Sequence, residues 1–202
     1  LPSGIGNLSK LEILDLYHNQ LTSLPKEIGK LKKLRELNLY RNSKINQLPP
    51  EIGDLESLES LNISKVRPGD LPPEIGKLQN LRELNIFCNG MKLLPPEFGN
   101  LISLEVLNMG NNQGIKIPEE FGNLSNLKRL HLANDKLPEI PEFFFDLKSL
   151  NILDMRNNSV SEIPKKIKNL KNIKEIWMAG NPLSEEEFKK LEKYFPEAKI
   201  TK

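Results

Sequence analysis

The segment Leu11–Asn19, L-E-I-L-D-L-Y-H-N, recurs along almost the whole chain. Its first apolar residue falls at Leu11, Leu34, Leu58, Leu81, Leu104, Leu127, Leu150 and Ile173, a period of 23 residues with one step of 24 between Leu34 and Leu58. Each unit reads L-x-x-L-x-L-x-x-N, then an apolar residue, then L-P-x-x-I-x-x-L. One such unit is too short to bury its own apolar side, so the units must stack, and the chain is predicted to be a solenoid with a single continuous core. A solenoid offers long repetitive surfaces and few enclosed pockets, which points to binding another macromolecule.

Within a unit, Leu14 and Leu16 alternate with Asp15 and Tyr17, the two-residue period of a strand. One short strand per repeat, all in the same direction, predicts a parallel sheet with neighbours ~4.8 Å apart. Asn19, Asn42, Asn89, Asn112, Asn158 and Asn181 follow the strands. An amide carries donors and an acceptor, so stacked copies are expected to form a ladder that satisfies backbone groups where the chain turns. The return half, such as Leu24–Leu31, spaces apolar residues as one helical turn does. Pro25 suits its first turn, and Gly29 with the short length is expected to hold it to a 3₁₀ or single α turn.

The C-terminus reads differently. Ser184–Glu187 has the S-x-x-E spacing of a capping box, and Phe188, Leu191 and Phe195 fall on one helical face before Pro196. This predicts a helix covering the end of the core, with Ile200 returning beside the last coil. Leu1–Leu8 aligns with Leu24–Leu31, so the chain is expected to start in mid-repeat and to be truncated at its N-terminus. The predicted organisation is one domain: a solenoid over 1–183, comprising the half repeat 1–8 and eight strand motifs, and a cap over 184–202.

Composition narrows the function. The formal net charge is only +2, from 29 basic and 27 acidic residues spread without a basic block, whereas nucleic-acid binding calls for a basic stripe. No apolar run approaches the ~20 residues of a membrane span. Cys88 is alone, which excludes an internal disulfide and favours a reducing, cytoplasmic setting over export, or a bacterial lineage that caps its repeats without disulfides. His18 and His131 lie five strands apart, ~24 Å, too far to share a metal or a proton. There is no Cys/His cluster, phosphate loop or nucleophile elbow. The reading is therefore no enzyme, no cofactor, no metal and no small-molecule site. Lys165, Lys166, Lys168, Lys171 and Lys174 form a small basic patch that reads as a solubility feature.

The repeated L-x-x-L-x-L-x-x-N and L-P-x-x-I-G-x-L halves resemble the leucine-rich repeat superfamily over residues 1–183. The return halves are similar to those of bacterial proteins, including spirochaete ones, and of Ras-suppressor-type scaffolds. That resemblance implies an α/β fold, a right-handed solenoid or horseshoe with the strands on the concave side. It also implies protein recognition, as in a signalling scaffold. The alternative is a sensor or autoinhibitory region of a larger signalling enzyme whose catalytic domain lies elsewhere; a third is a structural role in a surface layer.

Two surfaces are candidates for a protein partner. Strand alternation directs Asp15, Asn38, Asn62, Asn85, His131 and Trp177 to the concave face, together with Tyr17, Tyr40, Phe87 and Arg156 in the next column, flanked by Arg41. Exposed aromatics with cations beside them are the chemistry of binding hot spots. The second surface is the irregular edge after the strands. The second repeat carries an extra residue near Ser43–Lys44. The third has Val66 in the Asn position, followed by Arg67–Asp70 where an apolar residue is expected. The fifth has Gly114 at a leucine site, and the sixth has Asp135 for Asn. A local bulge is expected near 43–47 and 65–70, with Lys65, Arg67 and Asp70 as edge-loop candidates.

Overall fold

The computed structural model describes residues 1–202. Nine three-residue strands form one parallel sheet in strict chain order, an open leucine-rich solenoid rather than a closed barrel. They are β1 (Ile13–Asp15), β2 (Glu36–Asn38), β3 (Ser60–Asn62), β4 (Glu83–Asn85), β5 (Val106–Asn108), β6 (Arg129–His131), β7 (Ile152–Asp154), β8 (Glu175–Trp177) and β9 (Lys199–Thr201). Successive strands pair without a register slip: Leu14, Leu37, Leu61, Leu84, Leu107, Leu130, Leu153, Ile176 and Ile200 face one another in turn. The central residue of each strand points into the core, and a one-residue slip would turn it out to solvent, which fixes the register. β9 carries no repeat motif; Ile200 extends the core beneath it.

Each coil returns through a five-residue 3₁₀ turn, from Ser3–Asn7 to Lys165–Asn169. Pro25 precedes its turn in an extended conformation rather than opening it, and the equivalent prolines do the same. The expected role of Gly29 also changes. A Cβ on Gly53, Gly76 or Gly99 would lie 2.2–2.3 Å from the carbonyl oxygen of Glu74, Glu97 or Glu120 in the next coil. Glycine there permits adjacent coils to approach. It does not set the length, because Phe145 and Lys168 hold the same place in turns of the same five residues.

Inside, leucines and isoleucines stack in columns, and Phe98, Phe121 and Phe144 form a spine behind the middle coils. Phe98 and Phe121 are parallel with centroids 5.9 Å apart, and Phe144 follows at 5.2 Å. The sites that break the repeat are filled locally. Pro68 is buried in the third coil where Arg67–Asp70 had seemed to lack an apolar residue, and Ile115 takes the core place beside exposed Gly114.

The asparagines after the strands are buried apart from Asn19 and the half-buried Asn181. Asn112 Nδ2 donates to Ile86 O of the coil before and to Met109 O of its own, while its Oδ1 accepts Asn89 N–H and Met91 N–H. Three strand-exit carbonyls thus receive two amide donors: Leu16 O from Asn19 and Asn42, Ile86 O from Asn89 and Asn112, and Met155 O from Asn158 and Asn181. Asn19, in the first coil, bonds only within its own coil. At Val66 the side-chain donor is lost, yet Leu39 O keeps Asn42 and Ile63 O keeps Asn89.

The end cap is helix α1 (Glu185–Tyr194), with Phe188, Leu191 and Phe195 buried. Ser184 Oγ accepts Glu187 N–H, half of a capping box. Glu187 does not return the bond to Ser184. Its carboxylate accepts Ile163 N–H at 2.8 Å and pairs with Lys190, pinning the helix to the coil beneath.

Candidate protein-binding surface

The outer face of the sheet is built from every strand residue that does not enter the core, and it has more columns than the alternation of Asp15 and Tyr17 suggests. The first residues of the strands (Ile13, Glu36, Ser60, Glu83, Val106, Arg129, Ile152, Glu175) also face out. Beside them runs Glu12, Arg35, Glu59, Arg82, Glu105, Lys128, alternating in sign from coil to coil. These pair along the solenoid: Arg35–Glu59 at 2.9 Å, Arg82–Glu105 at 3.3 Å and Lys128–Glu105 at 2.6 Å. The hydrogen bond from Lys128, with the charge of Arg82 behind it, holds the Glu105 carboxyl below the usual range. This strand-entry edge neutralises itself. Sequence reasoning missed it, although the sign alternation at the repeat period was there to be read.

The column Asp15, Asn38, Asn62, Asn85, Asn108 and Asp154 performs a local structural task. Each side-chain oxygen accepts the N–H two residues later, as from Asn38 Oδ1 to Tyr40 N at 3.1 Å, which bends the chain out of the strand. Those oxygens are committed to the fold, so what Asn38, Asn62 and Asn85 turn outward is their amide nitrogens.

Tyr17 and Tyr40 stack, centroids 5.4 Å apart and 24° from parallel, with His18 tilted against Tyr17 at 5.6 Å. Arg41 and Lys65 both approach the Tyr40 ring, at 5.4 and 5.8 Å from its centroid. Phe87 is not part of this group. Ser64 holds the intervening coil's position, its hydroxyl donating to Asn62 Oδ1, so Phe87 stands half-buried without a ring partner.

A second group occupies the other end of the sheet. Asp154 is buried and receives two parallel bonds from Arg156, Nε and a terminal nitrogen both at 2.8 Å, with His131 Nδ1 at 3.4 Å. Burial alone would push the Asp154 carboxyl up. The bonds from Arg156 and His131 outweigh it and leave the carboxyl well below the usual range. Arg156 lies over the Trp177 ring at 4.7 Å and His131 packs at 5.9 Å, while Trp177 Nε1 donates to Glu175. Sequence position placed His131, Arg156 and Trp177 on one face; Asp154 as the group that locks them together was not foreseen.

At the strand-exit edge one residue per coil is left-handed: His18, Arg41, Lys65, Cys88, Asn111, Asn134, Asn157 and Gly180, with φ between 52° and 77°. The turn aims the next side chain toward the core, and every N–H but that of Gly180 still reaches the neighbouring coil, as from Lys65 to Phe87 O at 3.0 Å. Coils five to eight use Asn or Gly, which tolerate this conformation; coils one to four use His, Arg, Lys and Cys, which cost about 1 kcal/mol each. Arg67 in coil three and Lys136 in coil six are left-handed as well. His18, Arg41, Ser43, Lys65, Arg67 and Cys88 line a groove of about 520 Å³. Asp70 turns away from it, accepting Lys92 and Leu93 N–H. On the convex side Lys166 pairs with Glu142, and Lys168 lies over Tyr194 at 4.2 Å. No three His, Cys, Asp or Glu side chains come together to hold a metal, and no helix is long and apolar enough to cross a membrane.

A sheet of this kind, with its exposed face set by repeat columns, defines a repeat solenoid. The chain belongs to the leucine-rich repeat family: the model of the leucine-rich repeat region matches residues 1–92, 26–130 and 96–193. It is similar to a leucine-rich repeat protein of Leptospira interrogans, 36% identical with a TM-score of 0.91, over 100% of this chain and 51% of that one. A plant peptide hormone receptor, RGFR1, solved in complex with RGF2, is 32% identical with a TM-score of 0.73, over 86% of this chain and 29% of the receptor. An internalin of Listeria monocytogenes shares the fold at 20% identity and a TM-score of 0.81, over 99% of this chain and 59% of that one. The chain thus spans about half the length of the Leptospira protein and under a third of the plant receptor. Among curated proteins no match was found. Members of this family commonly mediate protein–protein interaction.

Proposed function

We propose that this protein is a non-catalytic binding module whose protein partner lies across the concave sheet. The observation that carries this is the pair of aromatic–cation groups at its two ends, Tyr17–Tyr40 with Arg41 and His131–Arg156–Trp177. Their rings are excluded from the core by strand alternation and are already ordered by their neighbours. Ordered Trp, Tyr and Arg side chains lose little entropy on binding and dominate interface energies. The self-neutralised strand-entry edge between them suits the polar rim of such an interface.

The test is capture of the partner from the source cell, followed by calorimetric titration. Tyr40→Ala and Trp177→Ala are each expected to weaken binding by about 1–3 kcal/mol. Lys165→Ala on the convex turn is expected to bind like the parent. Parent-like binding by both aromatic variants would remove the concave face from consideration.

A further inference from the structure

We propose that the strand-exit edge of coils one to four receives an acidic peptide segment, a run of Asp and Glu side chains on a partner protein. The proposal rests on the protein-binding reading above and adds the chemistry of what is bound. Its ground is a groove walled by cations with no carboxylate among them. Of the six arginines, Arg35, Arg82 and Arg156 have carboxylate partners, and Arg129 stands alone in β6 without one. Arg41 and Arg67 have none, and they line one groove with Lys65, which also lacks one. Three formal positive charges thus share a concavity with no carboxylate in its wall, in a molecule whose net charge is only +2.

The cations are ordered without being neutralised. Arg41 and Lys65 rest against the Tyr40 ring, which orients them while leaving their N–H groups unsatisfied. Their left-handed backbone, where later coils have Asn or Gly, keeps the positions in line along the solenoid, one coil spacing of ~4.8 Å apart. Two guanidinium forks beside an ammonium match carboxylates, which they can bind in bidentate fashion.

Nucleic acid fits less well. Tyr17 covers Tyr40 on one side and His18 lies against Tyr17, so the pair offers no open platform on which bases could stack. Three cations also fall short of the row of phosphate contacts that duplex binding uses.

The experiment titrates the 202-residue chain into a fluorescein-labelled oligoglutamate peptide, read by anisotropy at low and at physiological salt. The parent is expected to bind, more weakly as salt rises. The variant Arg41→Asn/Lys65→Asn/Arg67→Asn is expected to lose roughly tenfold or more in affinity. Asn suits the left-handed backbone, so this variant keeps its fold, which its thermal unfolding checks. Lys26→Asn/Lys77→Asn/Lys165→Asn makes the same change in charge on the convex turns and is expected to bind like the parent. Failure of the parent to bind at low salt, or equal losses in the two variants, overturns the proposal. Tighter, groove-dependent binding of a single-stranded RNA homopolymer overturns it in favour of nucleic acid. Retention of the captured partner by Trp177→Ala, which lies at the far end of the sheet, bears on the concave-face reading alone; the oligoglutamate titration bears on this one.

Discussion

Asp135 shows what a single atom does inside a ladder. Its Oδ1 accepts Asn112 N–H, as the asparagine oxygens do elsewhere, so its Oδ2 lies where the other coils put an amide nitrogen. There it faces carbonyls with no proton to offer, and it is the one buried side-chain oxygen or nitrogen without a partner. Burial pushes the carboxyl from 3.8 up to about 7, with the bond from Asn112 N–H only partly opposing the rise. Because the folded-state value is raised, nothing is lost below pH ~4, where folded and unfolded chains both hold the proton. Stability then falls as pH climbs toward 7, because the unfolded chain ionises first, and the loss levels off above it at a few kcal/mol. Asp135→Asn restores the missing donor. It is expected to stabilise the protein by about 2–4 kcal/mol at pH 8 and much less at pH 4, measured by urea unfolding at both. An equal gain at the two pH values would mean that ionisation is not the cause. The sequence marks position 135 as a departure from Asn. It cannot show that the second oxygen is sealed from water, because that depends on the coils packed above and below.

At the scale of the element, the return turn separates what spacing reveals from what packing decides. The apolar residues at Ile28 and Leu31 announce a short helical turn, and the structure has one. The glycine in the same motif answers to the neighbouring coil, which no single repeat can display. A Cβ on Gly76 would lie 2.3 Å from Glu97 O, whereas one on Gly4 would meet nothing within 4 Å. Gly76→Ala is therefore expected to lower stability by about 3 kcal/mol, while Gly4→Ala is neutral or raises it by about 0.5 kcal/mol through the unfolded state. Thermal unfolding of the two variants checks this, and similar melting temperatures would show that the coils can shift apart at little cost. The candidate surface divides in the same way. Its columns follow from strand alternation, so Tyr17, Tyr40 and Trp177 were legible. Which neighbours interlock depends on the residue one coil away: Ser64 separates Phe87 from the tyrosines, and Asp154 gathers His131, Arg156 and Trp177.

Across the 202 residues the first and last coils are packed unequally. At the C-terminal end Ile176 and Met178 are fully buried beneath α1 and β9. At the other end Leu8 is 50% exposed, and Leu11, Leu14, Leu16 and Leu21 are only partly buried, although they hold places that are buried in the middle coils. In a stack where each coil contacts only its neighbours, stability is a sum of coil and interface terms, and a coil covered on one side opens first. The strain of left-handed His18, Arg41 and Lys65 falls in the same half, with Lys136 its counterpart in coil six. Leu14→Ala is expected to cost about 1–2 kcal/mol and Leu153→Ala, at the same register position in the interior, about 3–5 kcal/mol. Native-state hydrogen exchange supplies the second measurement. Leu16 and His18 amides, which bond to Asn38 O and Tyr40 O, are expected to exchange faster than Leu132 and Asn134 amides, which bond to Asp154 O and Arg156 O. Uniform protection from β1 to β8 would show that the solenoid opens as one cooperative unit; graded protection would show that these 202 residues open from coil one.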